Sequence, residues 1–244
     1  IEEIRQRFKG GVTTFHPPFK DSRVHPNLDA GSITDDTILT LALADAYIQG
    51  SGRITPSSVC ACALERFQSA ADAGCEKMFG PSTRKALEEV TLGHDPVEAC
   101  LSENHPMACT SNGAAMKIAP VGLVHPGDPD AAIEDAVTVC LPSHGTQAAM
   151  ASACAVAAGV SHAMSDHADV FSVVRAALYG ARQGHAIGLE KARTVPVPSL
   201  EKRIELAVSL ALKARDPEEA NRFIADIIGT GLAAYESIPA AVGI

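Results

Sequence analysis

The run Gly31-Ser32-Ile33-Thr34-Asp35-Asp36-Thr37 sets two adjacent carboxylates among hydroxyls, directly ahead of an apolar stretch. Carboxylates this close repel each other unless something neutralises them. Hard divalent cations take their ligands from carboxylate, hydroxyl and water oxygens, which makes Thr34, Asp35 and Asp36 candidate metal ligands and the two acids candidate catalytic groups. The same residues suit a helix start, with Thr34 or Asp35 as the cap and Asp36 complementing the helix dipole. Spacing alone leaves both readings open.

A second polar group lies in Cys109-Thr110-Ser111-Asn112-Gly113-Ala114-Ala115-Met116-Lys117, where small polar residues and glycine precede an apolar segment. Free N–H groups at a helix start suit a phosphate, and an ordinary cap at Ser111 or Asn112 explains the same residues. The third is Leu141-Pro142-Ser143-His144-Gly145-Thr146, which places His144 just before a run of small residues and within reach of a helix-lined cleft. His94, His105, His125, His162, His167 and His185 lack partners at metal-ligand spacing. A dinucleotide-type glycine loop and a G-x-S-x-G nucleophile elbow are both missing.

The elements that must carry these residues read as helices. Residues 1–30, with Pro17, Pro18 and Pro26, predict an irregular lead-in. Ile38, Leu41, Ala42 and Ala46 then predict one face of a helix ending near Gly50 and Gly52. Thr55-Pro56, Asp95-Pro96, Asp128-Pro129 and Asp216-Pro217 each join a capping side chain to a proline at the first helical position. Leu64 and Phe67 share a face after Thr55-Pro56, and the Asp128-Pro129 helix is expected to run to about Val139. Residues 148–164 are apolar nearly all round, which predicts a buried helix. Further helices are expected over residues 170–181 and after Ser199, the latter with Ile204, Ala207, Val208 and Leu212 on one side. No segment alternates as a strand does, so the expected fold is a single compact all-α domain of many helices.

Composition agrees. Of the 244 residues 46% are apolar, yet only 4% are aromatic and none is Trp, so helices must meet through small side chains. A formal net charge of -9 without a cluster of Lys or Arg argues against nucleic-acid binding. An acidic chain that binds a phosphorylated ligand has to place positive charge locally, and bound cations are one means. Cys60, Cys62, Cys75, Cys100, Cys109, Cys140 and Cys154 are odd in number and irregular in spacing. They read as small buried hydrophobes in a reducing cytoplasm rather than as a disulfide framework. No apolar run predicts a membrane span, and no signal peptide is visible. The first residue is Ile1, so translation is expected to start upstream of it.

Taken in order, these segments resemble the ADP-ribosylglycohydrolase family over nearly the whole chain. T-D-D-T ahead of an apolar helix resembles its first metal segment, and S-N-G-A-A-M-K-I-A-P-V-G its G-N-G-A-M-R-type segment. S-H before an Ala-rich helix is similar to its T-H segment, and G-T-G-x-x-A-Y-E-S-I-P-A-A to the approach to its last motif. The resemblance implies an all-α hydrolase that uses two divalent metal ions, Mg or Mn, with Thr34, Asp35 and Asp36 as ligands. Asp35 or Asp36 would act on the attacking water. Ser111, Asn112 and Gly113 would lie along ADP-ribose, with His144 near it. The implied substrate is an ADP-ribosylated protein or an ADP-ribose-containing small molecule. The family's G-D-A-x-G and D-T-D-T segments do not occur, so the chain is expected to lack the family's N- and C-terminal segments and half of its metal site. Two rivals follow: a non-catalytic, crystallin-like relative, and a hydrolase of another nucleoside or ADP-ribose derivative.

Overall fold

The structure, a computed structural model, describes residues 6–9, 12–21 and 28–244. Pro17 and Pro18 lie in a stretch without helix or strand, and Pro26 falls outside the described residues. The chain folds as one compact, almost wholly helical domain. Among the described residues there is no sheet, only isolated bridges between Ser111 and Ala233 and between Thr146 and Arg193. No helix among them is long and apolar enough to cross a membrane.

The first half holds α1 (Asp35–Gln49), α2 (Pro56–Asp72), α3 (Pro81–Thr91), α4 (Pro96–Leu101) and α5 (Ala119–Val124). The second half holds α6 (Pro129–His144), α7 (Gln147–Ala163), α8 (Val170–Lys191), α9 (Leu200–Lys213), α10 (Pro217–Phe223) and α11 (Ala234–Gly243). A single π-helical turn, Ile224–Ile228, joins α10 to the loop before α11.

The polar residue ahead of each helix explains where most of them begin. Thr55 accepts from the Ser58 N–H while Ser58 Oγ accepts from the Thr55 N–H, closing a capping box at 3.1 and 2.9 Å. Asp169 and Ser172 repeat the arrangement at the start of α8. Asp95, Asp128, Thr146, Ser199 and Asp216 each accept a backbone N–H from the first turn that follows. Asp35 and Asp36 open α1 differently. Its N-cap, Thr34, is extended but makes no capping bond with its side chain.

Several boundaries and faces differ from the sequence reading. The helix that opens at Pro129 continues past Val139 through Pro142 to His144, so His144 closes a helix instead of sitting in a loop. The helix opening at Val170 runs on from Ala181 to Lys191. In α1 the buried face is Leu39, Ala42, Leu43, Ala46 and Tyr47, and Leu41 is exposed. An Ala-rich helix has few polar markers to fix its rotation. The apolar segment after Gly113 is a 3-10 turn, Ala115–Lys117, followed by the short helix α5.

The core is built around α7, whose residues Ala149, Met150, Ala153, Cys154, Ala157 and Ala158 are fully buried. It packs on α6, α8, α5 and α11. Its closest approach is to α8, along Gly180, Gly184 and Gly188. A Cβ on Gly180 would lie 2.2 Å from the Cys154 carbonyl oxygen, one on Gly184 2.7 Å from Cys154 Cβ, and one on Gly188 2.6 Å from Gln147 Cα. Four-residue spacing puts the three glycines on one face, and their missing side chains let the two backbones touch.

Replacing glycine by alanine inside a helix normally gains up to about 1 kcal/mol. Gly180→Ala should do the reverse, because the new methyl group meets backbone. The expected loss is about 2 kcal/mol, which lowers Tm by roughly 5 °C for a domain of this size. A neutral or raised Tm in calorimetry would contradict so close a packing.

Candidate functional site

A cleft of about 330 Å³ opens where α1, α3, the 110–113 segment and the end of α6 converge. Asp35, Asp36, Ser111, Asn112, Gly113 and His144 all line it. Thr34 is not among the lining residues, but its hydroxyl donates to Asp36 Oδ2 at 3.0 Å and so steadies that carboxylate from behind. The sequence-selected residues thus arrive from three separated stretches at one concavity. The same cleft takes in residues that sequence reading did not single out: Gly80, Pro81, Ser82 and Thr83 around the start of α3, and Leu232 from the loop before α11. Pro81 at a helix start was the available signal for the former, since the first turn of α3 has no side-chain cap and leaves its N–H groups for an anion.

The polar floor is held from below. Asn112 donates its backbone N–H to the Leu232 carbonyl at 2.9 Å, and the Ala234 N–H donates to the Thr110 carbonyl at 3.0 Å. These bonds pin the 110–112 segment to the loop before α11. They also occupy the Asn112 N–H, which a helix start at this point would have left free for phosphate. Gly113 has no room for a side chain, because a Cβ there would lie 2.5 Å from His144 Nε2.

His144 is 2% exposed. Its Nδ1 lies 2.8 Å from Ser143 Oγ and its Nε2 lies 3.1 Å from Ser111 Oγ. Lys117, also buried, donates to Ser143 Oγ at 3.5 Å. Burial first, and the Lys117 charge second, push the His144 pKa down to about 3. The ring is therefore neutral near pH 7 and serves as a hydrogen-bonding group. Burial likewise pulls the Lys117 ammonium below its usual range, against the support of neighbouring groups that include Asp35. Lys117 places an amine behind this acidic cleft, and sequence reading overlooked it. The signal was a lysine inside the otherwise apolar run A-A-M-K-I-A-P-V-G.

The donors at the start of α1 are all oxygens, the kind that Mg or Mn prefers. Their number is small. Among the described residues no group of three or more His, Cys, Asp or Glu could hold a metal ion. Thr34, Asp35 and Asp36 offer oxygen donors of the kind such an ion takes.

A neutral buried histidine has a consequence for stability. The folded pKa of about 3 lies below the unfolded value near 6.5, so the unfolded chain binds the proton more readily. Stability is fully present above pH 6.5 and falls as pH drops from there towards 3, by up to about 1.4 kcal/mol per unit from this group. Urea midpoints at pH 7 and pH 5 should show a larger acid loss for the native chain than for His144→Gln, by about 2 kcal/mol. Equal losses would mean that His144 is not held neutral.

Two comparisons bear on this geometry. The family profile described as ADP-ribosylglycohydrolase matches residues 1–244. The uncharacterized protein YegU of Escherichia coli (strain K12) is 29% identical over 239 residues, which span 96% of this chain and 67% of that protein.

Proposed function

The chain belongs to the ADP-ribosylglycohydrolase family, and from that premise we propose that it is a metal-dependent hydrolase acting at C1 of the distal ribose of ADP-ribose. The substrate would be an ADP-ribosylated protein side chain or a small molecule carrying ADP-ribose. One observation carries the reading: the acids of α1, the Ser111–Gly113 segment and His144 line a single cleft.

The residues divide the work according to their chemistry. The glycosidic bond breaks through an oxocarbenium-like transition state, which needs an oriented water and a group to take its proton. Asp35 or Asp36 is the group for that task, since His144 is neutral and engaged on both ring nitrogens. The Thr34 hydroxyl fixes the Asp36 carboxylate. Ser111, Asn112 and Gly113 lie along the ADP-ribose, with Gly113 leaving room for the His144 ring behind them. The diphosphate finds free N–H groups at the first turn of α3 rather than at Asn112, and Lys117 places an amine beneath. Thr34, Asp35 and Asp36 are the residues that would hold two divalent ions, Mg or Mn, from one side. Such ions would supply charge that neutralises the acid pair and polarises water and ribose hydroxyls.

Asp36 is exposed at the rim, so Asp36→Ala should cost less than about 1 kcal/mol of stability and leave the helical circular dichroism intact. The same change should lower release of ADP-ribose from ADP-ribosyl-arginine or ADP-ribosyl-serine peptides by roughly 100-fold or more. Manganese titration should weaken in parallel. Near-normal turnover in the variant counts against the acid pair. A native chain that binds ADP-ribose with Mn but releases none from any of these substrates is the non-catalytic relative instead.

A further inference from the structure

Beside the cleft lies a second, smaller cavity of about 120 Å³, lined by Pro81, Ser82, Lys85, Cys100, Cys109 and Ser143 among others. It holds several times the roughly 30 Å³ share of one liquid water, enough for a small oxidant. The Cys100 and Cys109 sulfurs lie 3.8 Å apart in its wall. Of the cysteines, Cys60, Cys62, Cys140 and Cys154 are also buried but do not line this cavity. The pair is tied to the functional cleft on both sides. The Gly145 N–H, next to His144, donates to Cys100 Sγ at 3.1 Å. Thr146 Oγ1 donates to the Cys109 carbonyl at 2.9 Å, and Cys109 stands two residues before Ser111.

We propose that Cys100 and Cys109 form a redox modification site, which small hydroperoxides oxidise to a disulfide and which reports to the ligand cleft through Gly145 and Thr110. The inference concerns these thiols and does not depend on which glycosidic bond the cleft cleaves.

The two thiols are differentiated as such a site requires. The Cys100 thiol donates to Cys109, which pulls Cys109 towards its thiolate, and Ser82 and Arg193 add to the effect. Cys100, as the donor and by its burial, is pushed the other way. Cys109 is therefore the nucleophile. Its thiolate attacks one oxygen of hydrogen peroxide, the O–O bond breaks, and the departing hydroxide takes a proton to leave as water. Cys109 becomes a sulfenic acid. The Cys100 sulfur then attacks the Cys109 sulfur, the S–O bond breaks, and the hydroxide departs as water with the Cys100 proton. Two thiols lose two electrons, and one peroxide becomes two waters.

Cys109 sits at φ +63°, a left-handed conformation that a residue with a Cβ rarely adopts. A disulfide closes at about 2.05 Å, so the sulfurs must approach from 3.8 Å, by side-chain rotation and by whatever the backbone at Cys109 yields. Closure therefore draws on the segment that also bears Ser111, two residues on.

The test starts from fully reduced native chain, treated with hydrogen peroxide, quenched by alkylation under denaturing conditions and mapped by mass spectrometry. The expected product has lost two hydrogens, carries a Cys100–Cys109 cross-linked peptide, and is restored by dithiothreitol. Cys109 should be consumed at least about tenfold faster than Cys140 or Cys154. Cys100→Ser should stop the reaction at a sulfenic acid on Cys109, trapped by dimedone. Recovery of both Cys100 and Cys109 as alkylated free thiols, or cross-links mapping to other cysteines, overturns the proposal without reference to any variant. In the oxidised chain the His144 ring resonances should move. A disulfide that leaves them unchanged overturns the link to the cleft.

Discussion

The junction between α6 and α7 is buried, and a buried turn has to satisfy every backbone group without water. Four successive residues, Ser143 to Thr146, and the Gln147 that follows are all inside the protein. Gln147 answers for one flank: its side chain donates to the Val195 carbonyl and accepts from the Val195 N–H. Arg193 answers for the other. Its N–H donates to the Gly145 carbonyl and its own carbonyl accepts from Gln147. Its guanidinium reaches the carbonyls of Glu103, His105 and Ala108. A single cation thus organises the loop that delivers Cys109 and Ser111 as well as the turn that delivers His144. An unmade bond in such a place costs about 1–3 kcal/mol, so these contacts constrain the site more tightly than any exposed ion pair could.

The packing around this junction follows from small side chains. With almost no aromatic residues to fill space, the core closes by letting backbones meet, most tightly where α8 presents its glycines to α7. The start of α7 is then fixed by packing along its whole length, and the turn before it inherits that rigidity. Polar ties elsewhere are fewer and local. Tyr47 donates to Asp135, which also meets His125, and the three join α1 to the α5–α6 corner. Arg66 and Asp45 link α1 to α2.

The amino-acid sequence made the helix starts legible, because a capping side chain followed by proline is a local device whose physics does not depend on the rest of the fold. Thr55, Asp95, Asp128 and Asp216 act where that device places them. The burial of α7 was equally visible in its composition. The rotation of α1 was not, since Leu39 and Leu43 differ from Leu41 only through what surrounds them. The cleft followed a similar division. Asp35, Asp36, Ser111, Asn112, Gly113 and His144 stood out by type and order and do share one concavity. Ser82, Thr83 and Leu232 carry no marker of their own, because their place depends on contacts far away in the chain, and Lys117 was marked only as a lysine within an apolar run. The thiols were read alike as inert filler, and only the approach of Cys100 to Cys109 sets two of them apart.

The neutral imidazole of His144 gives the floor of the cleft one proton to place. A neutral ring has one donor nitrogen and one acceptor, so it gives its proton to one of the two serines it meets and takes a proton from the other. Moving that single proton between Nδ1 and Nε2 reverses what Ser111 receives from the ring without shifting a heavy atom. In either arrangement the Ser111 hydroxyl keeps a lone pair for a ligand, so the floor of the cleft can meet its ligand by relocating a proton where a rigid wall would have to move.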